Sequence, residues 1–144
     1  LPVLAAGGCT DGASLAGALA LGASGVYMGT RFVASEEHMT HVTTKDKISA
    51  ADETDSMVTK GLSGPMRVLE NEPAREIHQL EGEEQTKYEL EAIRRRDEGD
   101  EQGGLHIAGM ASGRIEEILS VREIVEQTVA EGDEILQGLC ELAP

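Results

Sequence analysis

The chain has 144 residues, with 27 Asp and Glu against 12 Lys and Arg, for a net charge of −15. Such a surface repels nucleic acid and anionic membranes, and no apolar run approaches transmembrane length. Two cysteines, Cys9 and Cys140, lie far apart without metal-ligand spacing, so neither a disulfide framework nor a metal site is expected, and a reducing, cytoplasmic setting is. Aromatic residues make up 2% of the chain, with one Phe and no Trp, so the core must be built from Leu, Ile, Val, Ala and Met. The acidity has two readings: a solvated, mobile acidic face, or adaptation to high salt, where screening relieves self-repulsion. The sequence starts Leu-Pro-Val-Leu-Ala-Ala, without Met and already inside a strand-like run. It therefore reads as cut from something longer, or as a truncated gene product.

In chain order, Pro2 to Ala6 reads as a short buried strand ending at Gly7-Gly8. Asp11 suits a helix N-cap, and Ala13 to Leu21 is a helix of small residues stopped by Gly22. Gly25 to Met28 reads as a second strand closing on Gly29-Thr30, with a helix starting just after Thr30. This is a βαβ unit with parallel strands, and a lone parallel pair needs cover on both faces. Few later segments read as strands, so partners upstream are expected. A helical or irregular stretch opens at Ser35, and Thr44 to Ala51 is a short amphipathic helix. An extended segment lies between Asp55 and Leu62, Gly64-Pro65 is a break, and Pro73 to Leu80 is helical. Within the charged run Glu81 to Gly104, Tyr88 to Arg96 reads as a solvated helix and the remainder as a mobile loop. Ala108 to Gly113 is a small-residue loop. A helix carrying Ile115, Ile118 and Leu119 on one side is expected next, then a second amphipathic helix from Val121 to Leu136. The expected division is a βαβ unit at 1–35, a helical and acidic insertion at 36–104, and a loop with closing helices at 105–144.

Two glycine-ended strands in succession carry the chemistry. Parallel neighbours bring their C-terminal loops side by side. A phosphate there can take backbone N–H donors from Gly7, Gly8 and Cys9 and from Met28, Gly29 and Thr30, with the Thr30 hydroxyl as a further donor. A Cβ would obstruct so close an approach, and a following helix would present its positive end. In barrels, phosphate sites sit after strands seven and eight. The plainer alternative is that these glycines only make tight turns.

Pro2 to Gly12, Pro-Val-Leu-Ala-Ala-Gly-Gly-Cys-Thr-Asp-Gly, resembles the strand-seven phosphate loop of nitronate monooxygenases, also called 2-nitropropane dioxygenases. Leu19 to Phe32, including Tyr27-Met28-Gly29-Thr30-Arg31-Phe32, resembles their strand-eight loop. The likeness continues through Thr59 to Gly64 and Arg67, and through Ala108 to Ile115. FMN-dependent enoyl-ACP reductases share both loop patterns. The resemblance implies an α/β fold: the C-terminal portion of a (β/α)8 TIM barrel, strands seven and eight, with a helical C-terminal extension. It implies FMN as cofactor, its phosphate held by Gly7, Gly8, Tyr27, Met28, Gly29 and Thr30, with Gly109 and Met110 beside the flavin. It implies oxidation of nitronates or nitroalkanes with O2 to a carbonyl compound and nitrite. Tyr27 and Met110 stand where the family usually has Gln, so side-chain roles at those positions do not carry over. The family's catalytic His lies upstream of the strand-seven loop and has no counterpart here. The alternatives are an FMN-dependent enoyl-ACP reductase, an IMP dehydrogenase-like phosphate-binding barrel, or a truncated non-catalytic remnant. A missing N-terminal half or a second copy would supply the remaining cover.

Other candidates are weaker. His38 and His41 are spaced to share a helix face, but a metal needs more ligands than Glu37 adds. His78 reads as solvated, and His106 is a minor candidate to face a flavin pocket. Cys9 reads as a packing residue. Arg31 pairs either with phosphate or with an acid.

Overall fold

The computed structural model describes residues 1–141. Strand β1, Leu4–Ala6, pairs in parallel with β2, Gly25–Tyr27, in the register Leu4 to Gly25, Ala5 to Val26 and Ala6 to Tyr27. Helix α1, Gly12–Ala20, crosses between them. Asp11 caps it as expected: its carboxylate accepts from the Ser14 amide at 2.8 Å, while Ser14 Oγ accepts from the amides of Thr10 and Asp11. Gly22, in the left-handed region at φ 94°, ends it. The chain then makes a single turn, α2, Thr30–Val33.

Residues 42–105 form a more deeply packed region. It holds α3 (Val42–Ala50), β3 (Ser56–Thr59), β4 (Met66–Leu69), α4 (Glu72–Gln79) and α5 (Gly82–Asp97). β3 and β4 pair antiparallel, from Ser56 opposite Leu69 to Thr59 opposite Met66. The extended segment around Met57-Val58 is thus one arm of a hairpin whose other arm, β4, carries no strand signal in the sequence. The Leu105–Ile107 segment continues beside β4: the Leu69 amide donates to His106 O at 2.9 Å, and Val68 bridges to Ile107. Alternation along β4 sends Val68 and Leu69 to opposite faces, each into its own cluster. Ala34, Ile48, Leu69, Ala108 and Ile115 form one, and Val68, Ala74, Ile77, Ala92 and Leu105 the other.

Three expectations are corrected. The charged run folds as one helix from Gly82 rather than from Tyr88. Glu83 and Glu84 occupy its first turn and Arg94 to Arg96 its last, complementing the helix dipole. Beyond it, residues 98–104 form a hydrogen-bonded turn rather than a loose loop, with Asp100 accepting from Gly103 N and Arg95 Nε. No helix carries Ile115, Ile118 and Leu119. After a 3-10 turn at Met110–Arg114 the chain runs extended, because Leu119 pairs with Ser35 and its carbonyl takes the Glu36 amide.

Helix α6, Val121–Glu141, closes the described chain and packs along α1. Ile124, Thr128 and Gly132, spaced four apart, make its buried stripe. The axes cross at two glycines, where a Cβ on Gly12 would run into the Gly132 backbone. No helix among the described residues is long and apolar enough to cross a membrane.

Candidate functional site

The register of β1 and β2 places their C-terminal ends together, so Gly7-Gly8-Cys9 and Met28-Gly29-Thr30 leave the sheet side by side. Gly7 and Gly8 have φ of 88° and 74°, a conformation that L side chains rarely adopt. A Cβ at Gly7, Gly8 or Gly29 would meet nothing within 4 Å, so space lies open in front of all three. Among the described residues, the amides of Gly8, Cys9 and Gly29 have no acceptor. Free amides facing open space, with backbone accessible through glycine, form a donor set that suits an anion.

The helices contribute less than expected. α2 is a single turn and adds free amides rather than a substantial dipole. The amino end of α1 is already occupied: Glu131 Oε2 accepts from the Gly12 amide at 2.8 Å, and Asp11 takes Ser14 N. Burial opposes ionisation of Asp11. Its hydrogen bonds from the Ser14 amide and hydroxyl, with the Arg114 guanidinium 2.5 Å away, outweigh that and hold its carboxyl below the ordinary value.

Thr30 is the hinge between distant segments. Its Oγ1 accepts from the Gly109 amide at 2.9 Å across 79 positions, leaving the hydroxyl proton free to donate. This bond sets the Gly109-Met110 loop against the β2 loop, and Ser112 Oγ braces it by donating to Gly109 O at 2.7 Å. Met110 is half exposed. Tyr27 is exposed at the sheet end, whereas Met28 is half-buried and lines a groove with Leu15, Phe32 and Val125.

The remaining candidates fall elsewhere. His106 is buried, with Nδ1 3.0 Å from Thr44 Oγ1 and Nε2 3.3 Å from Glu101 O. It borders a 530 Å³ cleft with Lys47, Glu70 and Asn71, which holds none of the glycine-loop residues. Burial holds its imidazole below the usual value. His38 and His41 share no helix: His38 accepts from Thr40 N, and His41 caps α3 by accepting from Thr43 N. His78 is exposed on α4. Cys9 is half-buried. Arg31 contacts neither a carboxylate nor the loop ends; it donates to the carbonyls of Ala34 and Glu117. Nothing in the sequence marks the Thr30 to Gly109 bond or the Asp11 to Arg114 pair. Both join segments far apart in the chain, and no local pattern signals them.

Fold and loops together define an α/β protein built on a parallel βαβ unit with two open, glycine-ended loops. The nitronate monooxygenase family model matches residues 1–131, and the chain belongs to that family. A probable nitronate monooxygenase from Staphylococcus saprophyticus is 33% identical over 144 residues, covering 94% of this chain and 40% of the relative. FabK from Thermotoga maritima superposes with a TM-score of 0.87 at 40% identity, over 99% of this chain and 48% of that one. A nitroalkane oxidase from Streptomyces ansochromogenes gives 0.82 at 26% identity, over 96% of this chain and 41% of that one. The chain thus spans less than half the length of these relatives.

Proposed function

We propose that this chain is the phosphate-binding part of an FMN-dependent (β/α)8 barrel that oxidises nitronates or nitroalkanes with O2, giving a carbonyl compound and nitrite. The observation that carries the reading is the pair of open loops, whose Gly8, Cys9 and Gly29 amides have no acceptor among the described residues. A phosphate monoester dianion fits that donor set, and each charge-assisted bond contributes about 1.5–3 kcal/mol. Gly7, Gly8, Tyr27, Met28, Gly29 and Thr30 would hold the phosphate end through their backbone, with the Thr30 hydroxyl as a further donor. Gly109, fixed by Thr30, would set the Met110 edge of the flavin pocket. FMN supplies the redox chemistry when bound. The residues here anchor and orient it, and none of the four histidines takes the family's catalytic place. The catalytic base would then belong to a part of the family fold that this chain does not span. In this reading residues 1–35 are the βαβ unit, 36–104 an insertion and 105–144 the closing loop and helices, in a cytoplasmic protein.

A second reading, an FMN-dependent enoyl-ACP reductase, is favoured by the same loop pattern and by the higher identity to FabK, 40%, than to the nitroalkane oxidase, 26%. The test is the absorbance of the protein reconstituted with FMN. Bleaching by a nitroalkane under argon supports the oxidase, and bleaching by NADH the reductase. Failure to retain any flavin overturns both and favours a non-catalytic remnant. The net charge of −15 also supports adaptation to high salt. A thermal midpoint that rises steeply with KCl is expected, and indifference to KCl would refute it.

A further inference from the structure

Arg31 is a buried charge that the loops themselves leave unexplained. Only 6% of its surface is exposed. One terminal guanidinium nitrogen donates to Ala34 O at 3.1 Å and to Glu117 O at 2.7 Å. Its Nε is buried without a partner among the described residues. It borders a small cavity of about 60 Å³ together with Thr10 and Asp11, from the loop after β1, and Leu119, Thr128 and Glu131 from the tail. Arg31 therefore directly follows Thr30 of the second glycine loop and shares a cavity with Thr10 and Asp11, which follow the first, and with the closing segment.

The charges around it are engaged elsewhere. Asp11 is held by Ser14 and Arg114, and Glu131 by the Gly12 amide. Glu117 acts on Arg31 only through space, its side chain lying exposed while its carbonyl makes the bond. A cation buried against carbonyl oxygens alone costs desolvation that no carboxylate contact offsets. Such an arrangement becomes favourable when an anion arrives nearby.

We propose that Arg31 is a positioning residue for the phosphate group, pinning the Glu117–Leu119 segment to α2 and lending the glycine loops a fixed positive charge that favours a dianionic flavin over a neutral one. This rests on the flavin-phosphate reading above. The clamp keeps Thr30 and Gly109 in register, and the charge acts over a distance that low-dielectric surroundings make effective.

The test compares FMN with riboflavin, which lacks the phosphate, by fluorescence titration of the full chain. Replacing Arg31 by Met (R31M) should cut the preference for FMN about tenfold while moving riboflavin affinity less than about twofold. R31K should keep most of the preference. E117Q leaves the backbone bond intact and removes the opposing charge, so it should raise the preference about twofold. Equal loss of both ligands in R31M, or no change in either, overturns the proposal. If R31M loses its helical circular dichroism, R31K and E117Q decide: loss of the preference in folded R31K, or no gain in E117Q, overturns it. Inorganic phosphate titrated against 15N-labelled protein separates this idea from the flavin reading. Shifts at Gly8 and Gly29 that vanish in R31M, without flavin binding, would sink the cofactor and keep Arg31. No response to phosphate or flavin in the wild-type chain overturns both.

Discussion

The βαβ unit and the hairpin region differ in how they are held. Around the hairpin, Ile48, Val68, Ile77 and Leu105 are fully enclosed, and both faces of β4 are covered. In the βαβ unit, Val3 is 64% and Leu4 56% exposed, and α1 has cover chiefly from α6. The part with the open loops is thus the part with the least core of its own. A parallel pair depends on neighbours for both faces, whereas an antiparallel hairpin backed by two helices needs none.

Core substitutions should break the comparison most forcefully. Ile77→Ala is expected to cost about 2–5 kcal/mol, seen as a lowered denaturation midpoint, while Leu4→Ser should cost less than about 0.5 kcal/mol because its side chain already meets water. A large cost at Leu4 would mean that a second copy or another chain covers the sheet in solution, and sedimentation would identify it. Next in size is Gly12→Ala. The added methyl drives α1 off Gly132, at a cost of about 1–3 kcal/mol, and amide exchange should quicken in α1 and α6 but not in α4 or α5. Uniform quickening would show that the two regions unfold together. The smallest effect is acid dependence at the α1 cap. The folded carboxyl of Asp11 lies below its unfolded value, so its contribution is present above that value and fades as pH falls through the folded one. Asp11→Ala should lose about 1 kcal/mol at neutral pH and flatten the decline in stability below about pH 4. An unchanged acid profile would remove Asp11 from the account.

Legibility in the sequence followed the same divide. β1, α1 and β2 were readable because punctuation is local: Gly7-Gly8, the Asp11 cap and Gly22 each mark a boundary where the backbone requires one. β4 was not, because Met66-Arg67-Val68-Leu69 buries successive residues on opposite faces and shows no alternation. Ile115, Ile118 and Leu119 imitate a helical stripe, yet a long-range bridge to Ser35 keeps them extended. The amino-terminal half of α5 lacked apolar periodicity. Its helix is sustained by acidic first-turn residues and by Ala92 packing in the core beside Tyr88. At the site, the glycines were visible and their neighbours were not. Arg31 and the Thr30 to Gly109 bond owe their roles to chain segments that meet only in three dimensions.

That last bond has a topological consequence. Residues 31–108 leave from Thr30 and return to Gly109, so the whole excursion is a loop with its ends tied at one point. Closing such a loop costs entropy that grows only with the logarithm of its length. Lineages can therefore lengthen or trim the excursion at the hairpin connection, Lys60 to Pro65, while its two attachment points, and the glycine loops beside them, stay where they are.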